Sequence, residues 1–288
     1  MTYLPTILNM RDAVVKAAKP IKENFRRPVQ TGIKKDGTLV TAVDIQVNNA
    51  LRDWADTYDV DYIGEEGNGK MTGRDHIIVV DPLDGTGAYH RGLFGTTSVM
   101  TLMERHDELW FPKRAVIHEP GTGWTWLGND KKRTMLFKSP GMGHALSEKQ
   151  RSVTAPYRTT IVTWRGVPMG LNEVRRAFEQ HMDIQDQSIG GIALCGGLLA
   201  SGLMEASLFA GTSAIETVAM MLIARGTGNI ALDLRGNELT GFELKEDKAG
   251  KLDFHLPYGA LICANQELAG MLLAIVTKHR PHCPESSR

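Results

Sequence analysis

The sequence predicts an α/β protein, built as one large unit or as two closely packed halves. The chain has 288 residues, which is enough to bury a sizeable core. Its composition is 42% hydrophobic and 23% charged, which is ordinary for a globular protein and argues against disorder of the whole chain. Apolar patterns with the periods of strands and of helices alternate along it.

The N-terminal half begins with helical patterns and continues as sheet. Residues 5–27 and 43–56 place apolar residues at helical spacing, and Pro20 is expected to kink or end the first helix. The segments DYIGEE and HIIVVDPLDG each predict a short apolar strand that ends on acidic residues. Alternating residues from Thr96 to Leu127 predict an antiparallel meander.

The C-terminal half returns to alternating strands and helices. TTIVTW, NIALDL and GALICA have strand patterns, and NEVRRAFEQHM and ELAGMLLAIVTKH have helical ones. Segments 192–207 and 214–225 are apolar and rich in small residues, as buried helices are. We predict an N-terminal α/β half over 1–145 and a C-terminal α/β half over 146–278 within one functional unit, followed by a disordered tail at 279–288.

Charge and cysteine usage favour small-molecule chemistry in a reducing compartment. Thirty-three basic and thirty-three acidic residues cancel, so no global field would attract a nucleic acid or an anionic membrane. Three scattered cysteines do not suit a disulfide scaffold. No apolar run approaches the roughly 18 residues of a membrane span, and no signal-peptide pattern opens the chain. We therefore expect a cytoplasmic protein with a small-molecule partner, no nucleic acid and no membrane.

The densest acidic pattern is GEEG at 64–67 followed by DPLDGT at 81–86. Each motif follows an apolar strand, where α/β proteins place their sites, although Asp-Pro and Asp-Gly are also common in solvated turns. Magnesium prefers hard oxygen ligands, and a two-metal site needs several converging acids. The two motifs supply four: Glu65, Glu66, Asp81 and Asp84. The glycine turn adds the N–H groups of Gly85 and Thr86 for phosphate oxygens.

These motifs resemble those of the magnesium-dependent, lithium-sensitive phosphatases that include inositol monophosphatase, fructose bisphosphatase and bisphosphate nucleotidase. The resemblance covers almost the whole chain. It lies in LVTAVD at 39–44, YIGEEG at 62–67, VVDPLDGT at 79–86 and ETVAMMLIARGTGNIALDLRG at 216–236. It implies a layered α/β sandwich of the sugar-phosphatase type, with alternating layers of helices and sheets. It also implies lithium sensitivity and, as a possible assembly, a homodimer.

The resemblance implies Mg²⁺-dependent hydrolysis of a small phosphate monoester by a metal-activated water, with two or three ions. The implied metal ligands are Glu65, Glu66, Asp81, the carbonyl of Leu83, Asp84 and Glu216. The implied catalytic residues are Asp44, Glu65 and Thr86. Thr86 would orient the attacking water, with Asp44 hydrogen-bonded to it, and the N–H groups of Gly85 and Thr86 would bind the phosphate. The N-terminal half thus carries most ligands, and the C-terminal half completes the site.

Four positions depart from the inositol monophosphatases. Glu216 stands where they have aspartate and reaches about 1.5 Å further, although fructose bisphosphatases resemble this chain there. Phe209 replaces a glutamate that binds substrate hydroxyls. Ala88 and Tyr89 replace an Asn-Phe pair, and the HRGLFGT that follows resembles the histidinol-phosphate phosphatase-like branch. We take Ala88, Tyr89, His90 and Phe209 as candidate residues of the substrate pocket.

The substrate remains open at this point. Phe209 and Tyr89 could stack on a ring, which favours a substrate with fewer hydroxyl groups than inositol. Histidinol phosphate and a 3′(2′),5′-bisphosphate nucleotide are the alternatives within the same chemistry. A catalytically impaired relative that binds metal or phosphate is the alternative from another class.

Overall fold

The structure is a computed structural model, and its description covers most of the chain. The described residues are 3–34, 37–131, 133–138, 143–146, 159–163, 171–180, 184–187, 189–209, 214–246, 252–256 and 258–279. Eight helices lie within these ranges: α1 (Ile7–Ala17), α2 (Lys19–Glu23), α3 (Ala42–Ala55), α4 (Thr86–His90), α5 (Leu171–Glu179), α6 (Leu194–Ser201), α7 (Ile215–Arg225) and α8 (Gln266–His279).

The strands of the same ranges fall into two large sheets and two hairpins. The first ten are β1 (Thr31–Ile33), β2 (Leu39–Thr41), β3 (Asp61–Gly64), β4 (Gly67–Lys70), β5 (His76–Asp84), β6 (Thr97–His106), β7 (Leu109–Glu119), β8 (Trp124–Asn129), β9 (Arg133–Phe137) and β10 (His144–Leu146). The others are β11 (Thr159–Thr163), β12 (Ile184–Gln187), β13 (Ala206–Phe209), β14 (Ile230–Leu232), β15 (Glu243–Glu246), β16 (Leu252–His255) and β17 (Ala260–Cys263).

The larger sheet has eight strands in the order β10-β9-β8-β7-β6-β5-β3-β4. Strands β5 to β10 pair in sequence and antiparallel, which confirms the predicted meander. Strand β3 joins β5 in parallel, so their carboxyl ends lie at the same edge. The second sheet has the order β12-β11-β13-β17-β14, with its first three strands parallel. The hairpins are β1-β2 and β15-β16.

Three hydrophobic clusters show that helices and sheets alternate in five layers. In the first, Val14 of α1 and Leu51 of α3 pack on one face of the eight-stranded sheet. In the second, the other face of that sheet packs with α6 and α7 against the inner face of the five-stranded sheet. In the third, Phe178 of α5 and Leu272 of α8 cover the outer face of the five-stranded sheet. The predicted α/β layered fold is therefore confirmed.

The predicted helices are confirmed in most cases, and one is wrong in extent. The first helical pattern divides near Pro20. Helix α1 ends at Ala17, and Pro20 lies in the first turn of α2, where an N–H group would have no partner within the helix. The apolar segment 192–207 is helical only over Leu194–Ser201. Gly202 has a positive φ of 69° and ends the helix. A strand, β13, follows, because this part of the segment pairs with β11 and β17 in the second sheet.

The predicted boundary near residue 145 falls in β10, the last strand of the eight-stranded sheet. Helix α7, from the predicted C-terminal half, packs on the strands of both sheets, so the two halves share a core and the division stays a prediction. The predicted tail lies outside the described residues from position 280 onward, and His279 ends α8. Within the described residues, none of the helices combines the length and apolar character needed to cross a membrane.

Close contact between α6 and α7 in the middle layer depends on a glycine. A methyl group on Gly196 would lie 2.6 Å from the Cα of Met220, which is too close for two carbon atoms. Both residues are buried, so an added methyl group could not be accommodated by turning toward solvent. By contrast, a methyl group on Gly270 of α8 would meet no atom within 4 Å.

We predict opposite effects of the same substitution at these two helical glycines. Gly196→Ala overpacks the middle layer and should lower the free energy of unfolding by about 1–3 kcal/mol. Gly270→Ala should raise it by up to about 1 kcal/mol, because alanine favours the helix and the space is open. Denaturant unfolding of both variants measures this. Equal effects of the two substitutions would contradict the described packing of α6 on α7.

Candidate metal centre

A β-bulge in β5 turns two aspartates to the same face of the sheet. Asp81 pairs with Val99 of β6, and Asp84 pairs with Thr97, so three steps along β5 match two steps along β6. Residues three apart on a regular strand face opposite sides, but the extra residue of the bulge removes this difference. Leu83, inside the bulge, packs in the core on the other side of the sheet.

Glu65 reaches the same place from the neighbouring strand. Strand β3 ends at Gly64, which pairs in parallel with Val80, and the N–H of Glu65 donates to the carbonyl of Val80 at 2.9 Å. Glu65 therefore lies beside Asp81, the next residue of β5. The two acidic strand ends that the sequence indicated meet at one edge of the sheet.

Glu216 completes a group of three carboxylates from the opposite layer. It lies in the first turn of α7, where the helix dipole favours a negative charge, and α7 packs against β5. Single carboxylate oxygens of Glu65, Asp81 and Glu216 lie within 4.8 Å of one another. Asp81 is buried, while Glu65 and Glu216 are partly exposed. Of the described residues, these three form the group whose spacing could hold a metal ion.

Burial and the charges of neighbouring acids raise the pKa values of Asp81 and Glu216. Burial, followed by the charges of Glu65 and Glu216, raises the pKa of Asp81 well above its ordinary value. Burial, with the charges of Asp84 and Glu65, raises the pKa of Glu216 to about 8. Clustered carboxylates whose charges repel one another are suited to a hard divalent cation such as Mg²⁺.

Asp84 is held by three hydrogen-bond donors that come from two different parts of the chain. Thr97 on β6 donates its hydroxyl to Oδ2 at 2.9 Å. The N–H of Ile192 donates to Oδ1 at 2.9 Å, and that of Ala193 donates to Oδ2 at 2.7 Å. Burial raises the pKa of Asp84 to about 6, against the lowering effect of these donors. The carboxylate is therefore fixed in direction and keeps lone pairs for a further ligand.

The backbone at 190–191 approaches the turn after Asp84 so closely that side chains would not fit. Gly85 has a positive φ of 89°, and a methyl group there would lie 2.8 Å from the carbonyl oxygen of Gly190. A methyl group on Gly191 would lie 2.4 Å from Oδ2 of Asp84. The N–H of Gly191 also donates to the carbonyl of Gly95 at 2.7 Å. These contacts join the middle-layer helix α6 to the turn that opens α4.

Asp44 and Thr86 are joined as the sequence predicted. The hydroxyl of Thr86 lies 2.9 Å from Oδ1 of Asp44 and 3.0 Å from the carbonyl oxygen of Leu83. The other oxygen of Asp44 accepts from the N–H and the hydroxyl of Thr41, the residue that caps α3. Asp44 is completely buried, and burial raises its pKa while the bonds from Thr41 and Thr86 oppose the rise.

Glu66 and its partner Lys34 lie beside the group of three acids. The ammonium of Lys34 is 2.8 Å from Oε1 of Glu65 and 2.6 Å from Oε1 of Glu66. The Glu66 side chain is only 4% exposed. Burial raises the pKa of Glu66 to about 7, although the hydrogen bond from Lys34 acts in the other direction.

The candidate pocket residues fall in different environments. Tyr89 is buried, and its hydroxyl donates to the carbonyl of Ile21 at 3.0 Å. Phe209 is buried in the core between the two sheets. His90 is exposed, and Ala88 is partly buried at the surface. The proposed stacking of Tyr89 and Phe209 on a substrate therefore stays a prediction, with both rings packed in the protein core.

Sequence reasoning missed three contributors to the site. Lys34 and Thr97 contact site carboxylates across long sequence separations, and the third contributor is the N–H pair of Ile192 and Ala193. Lys34 occurs in KKDG, which is a turn signal, and nothing in that signal specifies its acidic partner. Glycine pairs such as Gly190-Gly191 do indicate close backbone approach, so the N–H pair had a usable signal.

Comparison with known proteins agrees with this architecture. The model of the inositol monophosphatase family matches residues 6–280. A search among curated proteins gives no match.

Solved structures share the fold at low sequence identity. The extragenic suppressor protein SuhB of Bartonella henselae superposes with a TM-score of 0.72 and 17% identity, covering 93% of this chain and 97% of that one. The IMPase of Thermotoga maritima gives 0.73 and 17%, with 94% and 96% covered. An IMPase/NADP phosphatase complexed with Mg²⁺ and phosphate gives 0.72 and 16%, with 99% and 100% covered.

The family match over residues 6–280 identifies the protein as a phosphatase, that is, a phosphoric monoester hydrolase. The chain belongs to the inositol monophosphatase family.

We predict that Mg²⁺ binding releases protons and strengthens as pH rises from about 6 to 8. Burial raises the pKa of Glu216 to about 8, that of Glu66 to about 7 and that of Asp84 to about 6. A cation binds the ionised carboxylates, so bound protons must leave, at least roughly one and a half at pH 7, chiefly from Glu216 and Glu66. Calorimetric titration in buffers of different ionisation enthalpy counts them. Glu216→Gln should reduce the count, and a count of zero in the unaltered protein would contradict the raised pKa values.

Proposed function

We propose that the protein hydrolyses a small phosphate monoester with Mg²⁺ at the edge where β3, β5 and α7 meet. The observation that carries this proposal is the group of Glu65, Asp81 and Glu216, whose oxygens lie within 4.8 Å of one another. Asp84, Glu66 and the carbonyl of Leu83 are proposed as further ligands for two or three ions. Divalent ions, when bound, supply positive charge that offsets the phosphoryl charge and makes a water more acidic.

Thr86 is proposed to orient the water that attacks phosphorus. Its hydroxyl carries one proton and lies within hydrogen-bond distance of the buried Asp44 carboxylate at 2.9 Å. When the proton is donated to Asp44, the hydroxyl oxygen keeps lone pairs that can accept a hydrogen bond from water. Thr41 fixes Asp44 through the cap of α3, so the Thr86 hydroxyl is held in one direction.

The turn at Gly85 is proposed to bind the phosphate oxygens. Gly85 caps α4 and Thr86 is its first residue, so their N–H groups have no carbonyl one turn earlier in the helix. In the proposed reaction, water oxygen forms a bond to phosphorus, the bond from phosphorus to the ester oxygen breaks, and the alcohol leaves with a proton. Glu65 is proposed to share in positioning that water.

The substrate class is proposed as a small phosphate monoester of the kind that inositol monophosphatases hydrolyse. Histidinol phosphate and a 3′(2′),5′-bisphosphate nucleotide are the alternatives. The buried positions of Phe209 and Tyr89 leave His90 and Ala88 as the candidate pocket residues with exposed surface. A cytoplasmic location is proposed from the cysteine usage.

A panel of phosphate esters tests the proposed function directly. Phosphate release is measured from inositol 1-phosphate, histidinol phosphate, fructose 1,6-bisphosphate and adenosine 3′,5′-bisphosphate. We expect release from at least one substrate, dependent on Mg²⁺ and lowered by lithium. If folded protein that binds Mg²⁺ releases no phosphate from any of these substrates, the result would instead favour a catalytically impaired relative.

Asp81→Asn should lower kcat/KM by at least about 100-fold, because the lost charge contributes roughly 3 kcal/mol at the transition state. The matched control is Asp12→Asn, which removes the same charge from an exposed position on α1 and should leave the rate unchanged. Steady-state kinetics on the best substrate of the panel measures both. A rate within threefold of the unaltered protein would remove Asp81 from the proposed site.

Thr86→Val should lower kcat by roughly 100-fold, because the hydroxyl that orients water is lost. Thr86→Ser keeps the hydroxyl and should retain most of the rate. Comparison of kcat for the two variants separates the role of the hydroxyl from the packing of the side chain. Equal losses in both would show that packing, and not the hydroxyl, explains the effect.

A further inference from the structure

The β1-β2 hairpin carries a buried cation to the acidic site. Its turn is closed by two backbone hydrogen bonds, from the N–H of Lys34 to the carbonyl of Thr38 at 2.8 Å and from the N–H of Gly37 to the carbonyl of Lys34 at 3.0 Å. All three residues of β1 are exposed. The Lys34 side chain, however, is only 15% exposed. The hairpin therefore lies at the surface while this one side chain points inward.

Lys34 makes its ion pairs with the same edge of the site that is proposed to bind metal. Its ammonium is 2.8 Å from Glu65, a member of the group of three acids, and 2.6 Å from Glu66. Of the ion pairs formed between described residues, those of Lys34 are the ones that reach the acids of the site. Lys34 thus supplies positive charge where five carboxylates converge: Glu65, Glu66, Asp81, Asp84 and Glu216.

The ion pairs outweigh the cost of burying the ammonium. Burial alone would lower the pKa of Lys34, but the charges and hydrogen bonds of Glu65 and Glu66 raise it above its ordinary value. Lysine is ordinarily a cation at neutral pH, and the two ion pairs favour its charged form. A fixed unit charge this close to Glu65 stabilises the carboxylate in the same manner as a metal ion does.

We propose that Lys34 is a built-in counter-cation that competes with a divalent cation for Glu65 and Glu66. The inference rests on the proposed function, since it concerns the same metal site. Two cations cannot lie within a few ångströms of each other around one carboxylate without strong repulsion. A metal ion at Glu65 must therefore displace the Lys34 ammonium, and Lys34 weakens metal binding while it stabilises the metal-free protein.

Mn²⁺ binding tests the competition without reference to activity. Free Mn²⁺ is counted by electron paramagnetic resonance during titration of the full chain at pH 7.5. Lys34→Met should bind its tightest Mn²⁺ at least about tenfold more strongly than the unaltered protein, because a repelling charge is gone. Lys34→Arg keeps the charge and should bind as the unaltered protein does. Lys16→Met removes an equal charge from an exposed position on α1 and should change nothing.

Thermal unfolding gives the second measurement. Without metal, Lys34→Met should unfold at a lower temperature than the unaltered protein, because the carboxylates lose their counter-cation. With saturating Mn²⁺, the gain in unfolding temperature should be larger in Lys34→Met than in the unaltered protein. If this variant does not fold, Lys34→Gln provides the same comparison with a polar side chain.

The outcomes separate the inference from the proposed function. Unchanged or weaker Mn²⁺ binding by Lys34→Met, with normal binding by the unaltered protein, would overturn the counter-cation and leave the metal site standing. Weaker binding would assign Lys34 a role in holding the loaded site instead. No Mn²⁺ binding by the unaltered protein would overturn the metal site itself, and the counter-cation with it.

Discussion

Repulsion among buried carboxylates is the constraint around which the site is arranged. Asp81 is 1% exposed and faces Glu65 and Glu216 across less than 5 Å, where water screens little of their charge. The surrounding groups each reduce that repulsion. Backbone N–H groups and Thr97 bind Asp84, Thr41 binds Asp44, and Lys34 binds the two glutamates. The fold holds the acids together at a cost in free energy that a bound cation would remove.

Much of the fold and part of the site could be predicted because local chemistry specifies them. Apolar runs that end on acids predicted where β3 and β5 stop, and Pro20 predicted the break between α1 and α2. The Asp-Pro-Leu-Asp motif also has a local cause, since a proline cannot donate to the ladder and favours a bulge. The sequence does not specify contacts between residues that lie far apart along the chain. Periodicity cannot tell that Lys34 reaches Glu66, nor that Thr97 donates to Asp84.

The same limit explains the candidate pocket residues. An aromatic residue next to a motif can face a substrate or the core, and hydrophobic character fits both. Tyr89 and Phe209 are packed in two different cores, on opposite faces of the larger sheet. The segment 192–207 shows the related problem for secondary structure. A short apolar run favours helix and strand alike, so only pairing in the second sheet makes its end a strand.

Helix α7 contributes Glu216 and also covers strands β5 to β9 of the larger sheet. The ribosome makes those strands before α6 and α7, so the apolar residues of this face, including Val79, Val99 and Ile117, are synthesised before the helices that cover them. That face stays open to chaperones or to other nascent chains until α6 and α7 have been synthesised. The same helix that completes the acidic group with Glu216 therefore also completes the cover of this apolar face.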